Sequence, residues 1–198
     1  AYTEGLNPYF KTTEEVQQTL NDVLLLQFIT KNPMEIDAVY FYGAGCSSPD
    51  KKEIIETALK SVFTNAKIVV EHDLLGAAIG VCGNQAGIAA ILGTGSNSCY
   101  FDGEKVVENI PALGYVLGDE GSGACIGKEV LKGYLNKEMD DAVLQKFELK
   151  FKPSLDGILD RVYKEALPNR YFASFAKWVG EEVESEKYLQ EIVRKALD

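Results

Sequence analysis

The chain has 198 residues, 46% hydrophobic and 25% charged, the balance of a globular protein that can bury a sizeable core without disulfide staples. Thirty acidic residues against twenty basic ones give a formal net charge of −10, which argues against nucleic acid or an anionic membrane as the main partner. Cys46, Cys82, Cys99 and Cys125 form no C-x-x-C pair and no metal-ligand spacing with the single histidine, His72. No stretch reaches the ~18–20 apolar residues of a membrane span and no signal peptide is visible, so free thiols in the cytoplasm are expected.

In chain order, Ala1 to Gly5 reads as the end of a strand. Thr12-Thr13-Glu14-Glu15 is a capping box for a helix whose buried stripe is Val16, Leu20, Val23, Leu24 and Phe28, ended by Asn32-Pro33. Residues 36–42 form an apolar strand broken by Gly43-Ala44-Gly45. Ser48-Pro49 caps a second helix, and 66–70 is a second strand, closed by Glu71-His72-Asp73 and followed by a short helix to about Val81. Nearly continuous apolar strands alternating with helices predict a parallel sheet covered on both faces. The pattern then changes to strands at 86–92, 98–101 and 105–108, joined by tight turns at 93–97 and Asp102-Gly103, an antiparallel meander. Helices are expected at 122–135, 140–147, 154–166, 169–179 and from Ser185 onward, and a domain boundary near Gly83-Asn84 gives units 1–83 and 84–198. The run Glu181, Glu182, Glu184, Glu186 reads as a solvated helix face.

Three segments carry candidate chemistry. The apolar strand to Leu92 runs into Gly93-Thr94-Gly95-Ser96-Asn97, where glycines permit positive φ and let backbone N–H groups converge on an anion while Thr94 and Ser96 add hydroxyls. A strand and not a helix follows, and no Gly-Lys-Ser/Thr is present, so it is neither a dinucleotide fingerprint nor a Walker loop; an ordinary hairpin turn is the bland alternative. Glu71-His72-Asp73 ends a parallel strand, where open α/β sheets place ligands. Asp73 opens the next helix, whose dipole favours its ionised form, and an ionised carboxylate can take a hydroxyl proton during phosphoryl transfer; the alternative is a simple helix N-cap. His72, if extended, points to the opposite face and reads as packing or support. Last, Gly114-Tyr115-Val116-Leu117-Gly118-Asp119-Glu120-Gly121-Ser122-Gly123 surrounds an acidic pair at a helix start. The pair either caps the helix or meets sugar hydroxyls or, through water, Mg²⁺.

Taken in order, Thr3-Glu4-Gly5-Leu6-Asn7-Pro8, Glu71-His72-Asp73, Gly93-Thr94-Gly95-Ser96-Asn97 and Gly118-Asp119-Glu120-Gly121-Ser122 resemble the N-acetylglucosamine kinase branch of the actin-like, sugar-kinase superfamily. This branch is grouped with the activator ATPases of benzoyl-CoA reductase (the BadF/BadG/BcrA/BcrD family). The resemblance implies α/β, ribonuclease-H-like lobes with ATP, Mg²⁺ and sugar as ligands. It implies Asp73 as catalytic base, Gly93, Thr94 and Gly95 as phosphate-binding, and Asn7, Ser96, Asn97, Gly114, Asp119 and Gly123 as substrate-binding. It further implies that the chain is an interior fragment. The family's first phosphate hairpin, Asp-x-Gly-x-Thr, would precede Ala1 and its adenosine segment would follow Asp198.

The reaction implied is ATP-dependent phosphorylation of an amino sugar, N-acetylglucosamine to its 6-phosphate. The expected partners are a small-molecule sugar and ATP, with no nucleic acid and no membrane, and a homodimer is the oligomeric alternative. Two other readings remain open at this point, an activator-type ATPase coupled to a partner enzyme through an iron–sulfur cluster and a non-catalytic sugar-binding module.

Overall fold

The computed structural model describes residues 3–25 and 32–198; of Leu24 and Leu25 only the backbone is described. By internal contacts the chain divides into two compact units, Ala1–Ala89 with Cys99–Glu108, and Ala90–Ser98 with Asn109–Asp198.

The first unit begins irregularly. Thr3–Gly5 is not a strand, and Ala1 and Tyr2 lie outside the described residues. The capping box is present: Thr12 Oγ1 accepts from Glu15 N–H, and Thr12 N–H donates to the Glu15 carboxylate. It starts α1, Thr13–Thr19, which continues as a wider π-type coil over Leu20–Leu25. Val16 and Leu20 are buried as the spacing predicts, whereas Phe28 lies outside the described residues. Asn32-Pro33 opens a 3₁₀ turn, Pro33–Glu35, with Asn32 accepting from Met34 N–H.

Strand β1, Ala38–Gly43, pairs in parallel with β2, Lys67–His72, in a register running from Ala38 opposite Lys67 to Gly43 opposite His72. Between them α2, Pro49–Val62, makes the crossover that a parallel pair requires. Ser48 holds the N-cap position of α2 without a side-chain hydrogen bond. Helix α3, Asp73–Cys82, follows β2 directly.

Val39, Phe41, Ile68 and Val70 join Val16, Leu20, Cys46, Ile55, Ala58 and Leu59 in the core of this unit. The other face of β1 differs from the expected fully covered sheet. Tyr40 is exposed, and α3 meets that face at Tyr42, so close that a Cβ on Gly76 would lie 2.7 Å from Tyr42 Cβ.

Strands β3 (Gly87–Leu92), β4 (Ser96–Phe101) and β5 (Val106–Ile110) hydrogen-bond in chain order. Connections this short force antiparallel pairing, giving the expected meander, and the division between the units runs across it. The β4–β5 hairpin is set by Asp102, whose Oδ1 accepts from Glu104 and Lys105 N–H, and by Gly103 at φ +104°.

The second unit is mainly helical: a single turn α4 (Gly114–Leu117), then α5 (Gly123–Leu135), α6 (Asp141–Phe151), α7 (Leu155–Tyr163), α8 (Pro168–Ala173), α9 (Ala176–Glu182) and α10 (Lys187–Leu197). Ser122, Asp140 and Ser154 cap α5, α6 and α7 by accepting from the backbone N–H three residues on. The expected helix over 169–179 is two helices, divided where Ser174 Oγ donates to the Tyr171 carbonyl. Phe147 is fully buried and touches the rings of Tyr134, Phe151, Phe175 and Trp178. That aromatic cluster sits among Val130, Leu131, Val143, Leu189 and Ile192.

Helices α5 and α8 approach closely because Gly127 has no side chain: a Cβ there would lie 1.8 Å from the Phe172 carbonyl oxygen. Overpacking typically costs about 1–3 kcal/mol, and backbone cannot swing aside as a side chain can. Gly127→Ala is therefore expected to lose about 3 kcal/mol in urea unfolding. Gly80→Ala, on open surface of α3 with nothing within 4 Å, is expected to gain about 0.5–1 kcal/mol by the helix preference for alanine.

Candidate functional site

Functional side chains fall into two groups, one in each unit. In the first unit they gather at the carboxyl ends of the parallel strands. Because β2 extends to His72, two residues further than expected, Asp73 is the first residue of α3 and His72 holds the N-cap position. Strand alternation would separate these neighbours across the sheet, but the turn into α3 brings them together, with His72 Nδ1 2.8 Å from Asp73 Oδ1. That overturns the placement of His72 on the opposite face.

The Asp73 carboxyl lies below the usual aspartate range, first because of the His72 hydrogen bond, against an opposing push from burial. The His72 charge and the Leu74 and Asp73 backbone N–H groups lower it further. The same edge carries the loop after β1, against which Asn7 of the segment before α1 packs. Asn7 Oδ1 accepts from Tyr9 N–H at 2.9 Å and packs against Gly45, whose φ of +84° and lack of a Cβ both matter, since a Cβ would fall 2.2 Å from that oxygen. The neighbouring Cys46 is buried. Burial first and then the Asp73 charge push its thiol up, Lys52 opposes them, and Glu71 adds a smaller upward push, so it stays protonated.

In the second unit the turn after β3 is fastened to α5. Gly123 N–H donates to the Gly93 carbonyl (2.8 Å) and Ala124 N–H to the Thr94 carbonyl (3.0 Å). Asp119, in the left-handed region at φ +63° and buried, accepts from Ser96 N–H at 3.1 Å. Gly93 N–H bonds the Gly95 carbonyl, while the Thr94 and Gly95 N–H groups take no acceptor among the described residues. The glycine rationale differs from expectation: neither Gly93 nor Gly95 adopts positive φ. Gly95 is needed for close approach, because a Cβ there would lie 2.8 Å from both Asp119 carboxylate oxygens, whereas one on Gly93 would meet nothing nearer than 3.9 Å.

Beside the turn is a cavity of about 290 Å³, lined by Ser96, Asn97, Ser98, Asp119 and Glu120 and by an apolar wall of Ala90, Leu92, Ile110, Pro111, Ala112 and Leu113, with Gly118. Asn97 Oδ1 is buried there without a hydrogen-bond partner. Of the residues expected to bind substrate, Ser96, Asn97 and Asp119 come together in this wall. Gly114, at φ +74°, opens α4, and Gly123 commits its N–H to Gly93; neither lines the cavity. The Ile110–Leu113 wall was missed in the sequence, where only the Ile110-Pro111 strand end hints at it.

No family model matches the chain. A curated N-acetylmuramic acid/N-acetylglucosamine kinase from Clostridium acetobutylicum is 27% identical over 93% of this chain, which spans 64% of that relative's length. A solved structure from Porphyromonas gingivalis, a candidate N-acetylglucosamine kinase, superposes with a TM-score of 0.89 at 37% identity, over 97% of this chain and 67% of its own. The chain belongs to the N-acetylglucosamine kinase family. A second candidate kinase of that name, from Chromobacterium violaceum, shares the fold with a TM-score of 0.62 at 16% identity, over 92% of this chain and 64% of its own.

The contact between Gly95 and Asp119 can be measured without any ligand. Gly95→Ala is expected to cost about 1–3 kcal/mol by overpacking, and Gly93→Ala under about 0.5 kcal/mol. In a double-mutant cycle Asp119→Gly should recover most of the Gly95→Ala loss, a coupling of about 1 kcal/mol or more. Additive losses in denaturant unfolding would mean that the carboxylate does not press on residue 95.

Proposed function

We propose that this kinase-family chain contributes to ATP-dependent phosphorylation of an amino sugar, N-acetylglucosamine to its 6-phosphate. Asp73 is the general base. The observation that carries the reading is the Asp73 carboxylate, held ionised by His72 and by backbone N–H groups at the head of α3. A base of that kind accepts the proton of an acceptor hydroxyl as the hydroxyl oxygen attacks phosphorus.

Three features support ligand binding in the second unit. The unengaged Thr94 and Gly95 N–H groups, beside the exposed Thr94, suit phosphate oxygens. The orphaned Asn97 Oδ1 suits a ligand rich in donors, such as sugar hydroxyls or an amide N–H. The cavity volume is near the lower end of small-ligand sites, roughly 300–1,000 Å³. On this reading Ser96, Asn97 and Asp119 orient the sugar, with Asn7, Gly114 and Gly123 as further sugar-site positions, while Gly93, Thr94 and Gly95 meet phosphate.

Bound Mg²⁺–ATP supplies the phosphoryl group with its charge partly neutralised. Among the described residues no group of three or more potential metal ligands occurs; on this reading the ion is held mainly by nucleotide phosphates and water. The two lobes are read as ribonuclease-H-like, divided near Gly83-Asn84, and the enzyme as cytoplasmic. Unpaired cysteines and the absence, among the described residues, of a helix long and apolar enough to cross a membrane are compatible with that location.

The test is ATP consumption by the full-length protein with N-acetylglucosamine, glucosamine, N-acetylmannosamine and glucose. Sugar-dependent turnover is expected, largest with N-acetylglucosamine, and Asp73→Asn should lower kcat roughly 10²–10⁴-fold. An Asp73→Asn enzyme retaining over about a tenth of the rate sinks the base assignment. Hydrolysis indifferent to sugar points to an activator-type ATPase.

A further inference from the structure

His72 and Asp73 meet where β2 gives way to α3. His72 Nδ1 lies 2.8 Å from Asp73 Oδ1 and also 3.2 Å from the Leu74 backbone nitrogen. One ring nitrogen cannot serve both neighbours. Accepting from Leu74 N–H requires a lone pair on Nδ1, and that lone pair would face a carboxylate oxygen at 2.8 Å with no proton between them. Such a contact repels, whereas N–H···O⁻ at 2.8 Å is a charge-assisted hydrogen bond of ordinary length. Leu74 N–H also acts on the Asp73 carboxylate, favouring its ionised form, and its 3.2 Å contact with Nδ1 is the longer of the two. The proton therefore belongs on Nδ1, and the capping geometry of His72 is incidental.

We infer that His72 is a positioning residue for Asp73: its Nδ1–H holds Oδ1 and leaves the remaining carboxylate lone pairs free to accept the substrate proton. This rests on the kinase reading of Asp73. The other titratable groups around the pair are Cys46 on the loop after β1, Glu71 on β2 and Lys52 on α2. Cys46 is a protonated thiol, and Lys52 is engaged by Glu71. That leaves His72 as the side-chain donor to Asp73 among the described residues. The pair is about one-third exposed, 30% for His72 and 31% for Asp73, so a hydroxyl can still reach the carboxylate.

The tautomer can be read directly, because the chain holds one histidine and a His72→Asn sample assigns its signals. Long-range ¹H–¹⁵N NMR at neutral pH is expected to show Nδ1–H. In Asp73→Ala, Nδ1 regains Leu74 N–H as its partner and the ring should switch to Nε2–H.

In the full-length protein, His72→Leu is expected to lower kcat roughly 10–100-fold, the worth of one hydrogen bond to a charged group, with little change in sugar KM. The acid limb of kcat/KM should move upward, since burial then acts on Asp73 without its side-chain donor and lifts it back towards the ordinary aspartate range. His72→Asn, which keeps an N–H donor near the Nδ1 position, should recover most of both effects. An Nε2–H tautomer in an active wild-type kinase overturns the positioning role alone, as does a His72→Leu enzyme with unchanged kcat and pH profile, or His72→Asn behaving like His72→Leu. Nδ1–H in a protein that phosphorylates no sugar overturns the kinase reading, and the positioning role with it.

Discussion

The second unit depends on how the Gly93–Gly95 turn is fastened to the first turn of α5. The N-terminal N–H groups of a helix have no partner within it. Here Gly123 and Ala124 give theirs to the Gly93 and Thr94 carbonyls, while Asp119 takes the N–H of Ser96. These contacts fix the turn from below, and the fixture is only as firm as α5. That helix is seated by two missing side chains. Gly127 lets it approach the α8 backbone, and Gly133 makes room for the Tyr188 hydroxyl of α10, which a Cβ would meet at 1.7 Å. The aromatic cluster around Phe147 holds the helices that supply those contacts.

This arrangement decides which polar groups remain for a ligand. The start of α5 is a natural place to look for an anion, yet its leading N–H groups are spent on backbone carbonyls. What stays unengaged is the turn itself, at Thr94 and Gly95, and in the cavity the Asn97 oxygen. A comparable division of labour holds at the head of α3. There the backbone N–H groups and His72 act on one carboxylate, and Asp73, at the first helical position, is stabilised by the helix it opens.

Much of the fold was legible because the signals were local. Thr12 with Glu15 and Asp102-Gly103 are determined within a few residues, and the structure contains them as read; the helices expected from 122, 140 and 154 begin one residue later, behind the caps Ser122, Asp140 and Ser154. The α8–α9 break was not legible, since no glycine or proline marks it; a Ser174 hydroxyl competing for a helical carbonyl does the work. The wider coil at Leu20–Leu25 likewise keeps apolar residues at helical spacing and so hides in the pattern. Of the positions that the resemblance implied, Ser96, Asn97 and Asp119 line one cavity, because the two short motifs that hold them are fastened together. The reason for Gly95 was misread, since a Gly-rich turn suggests positive φ, and only the position of Asp119 reveals that the missing Cβ serves close approach.

The charge distribution gives the Gly95–Asp119 contact a further consequence. With a net charge of −10 the global field opposes an approaching phosphate, and the nearest side chain to Gly95 is itself a carboxylate. Attraction at the turn must then come from oriented amides at short range, where direction and desolvation outweigh the net field. Under the kinase reading, the same local negative charge disfavours a bare polyphosphate more than a metal-bound one, whose charge is partly cancelled before it arrives. Under that reading Asp119 does two opposed things: its bond to Ser96 N–H shapes the turn, and its charge would make the turn selective for an anion that brings its own counterion.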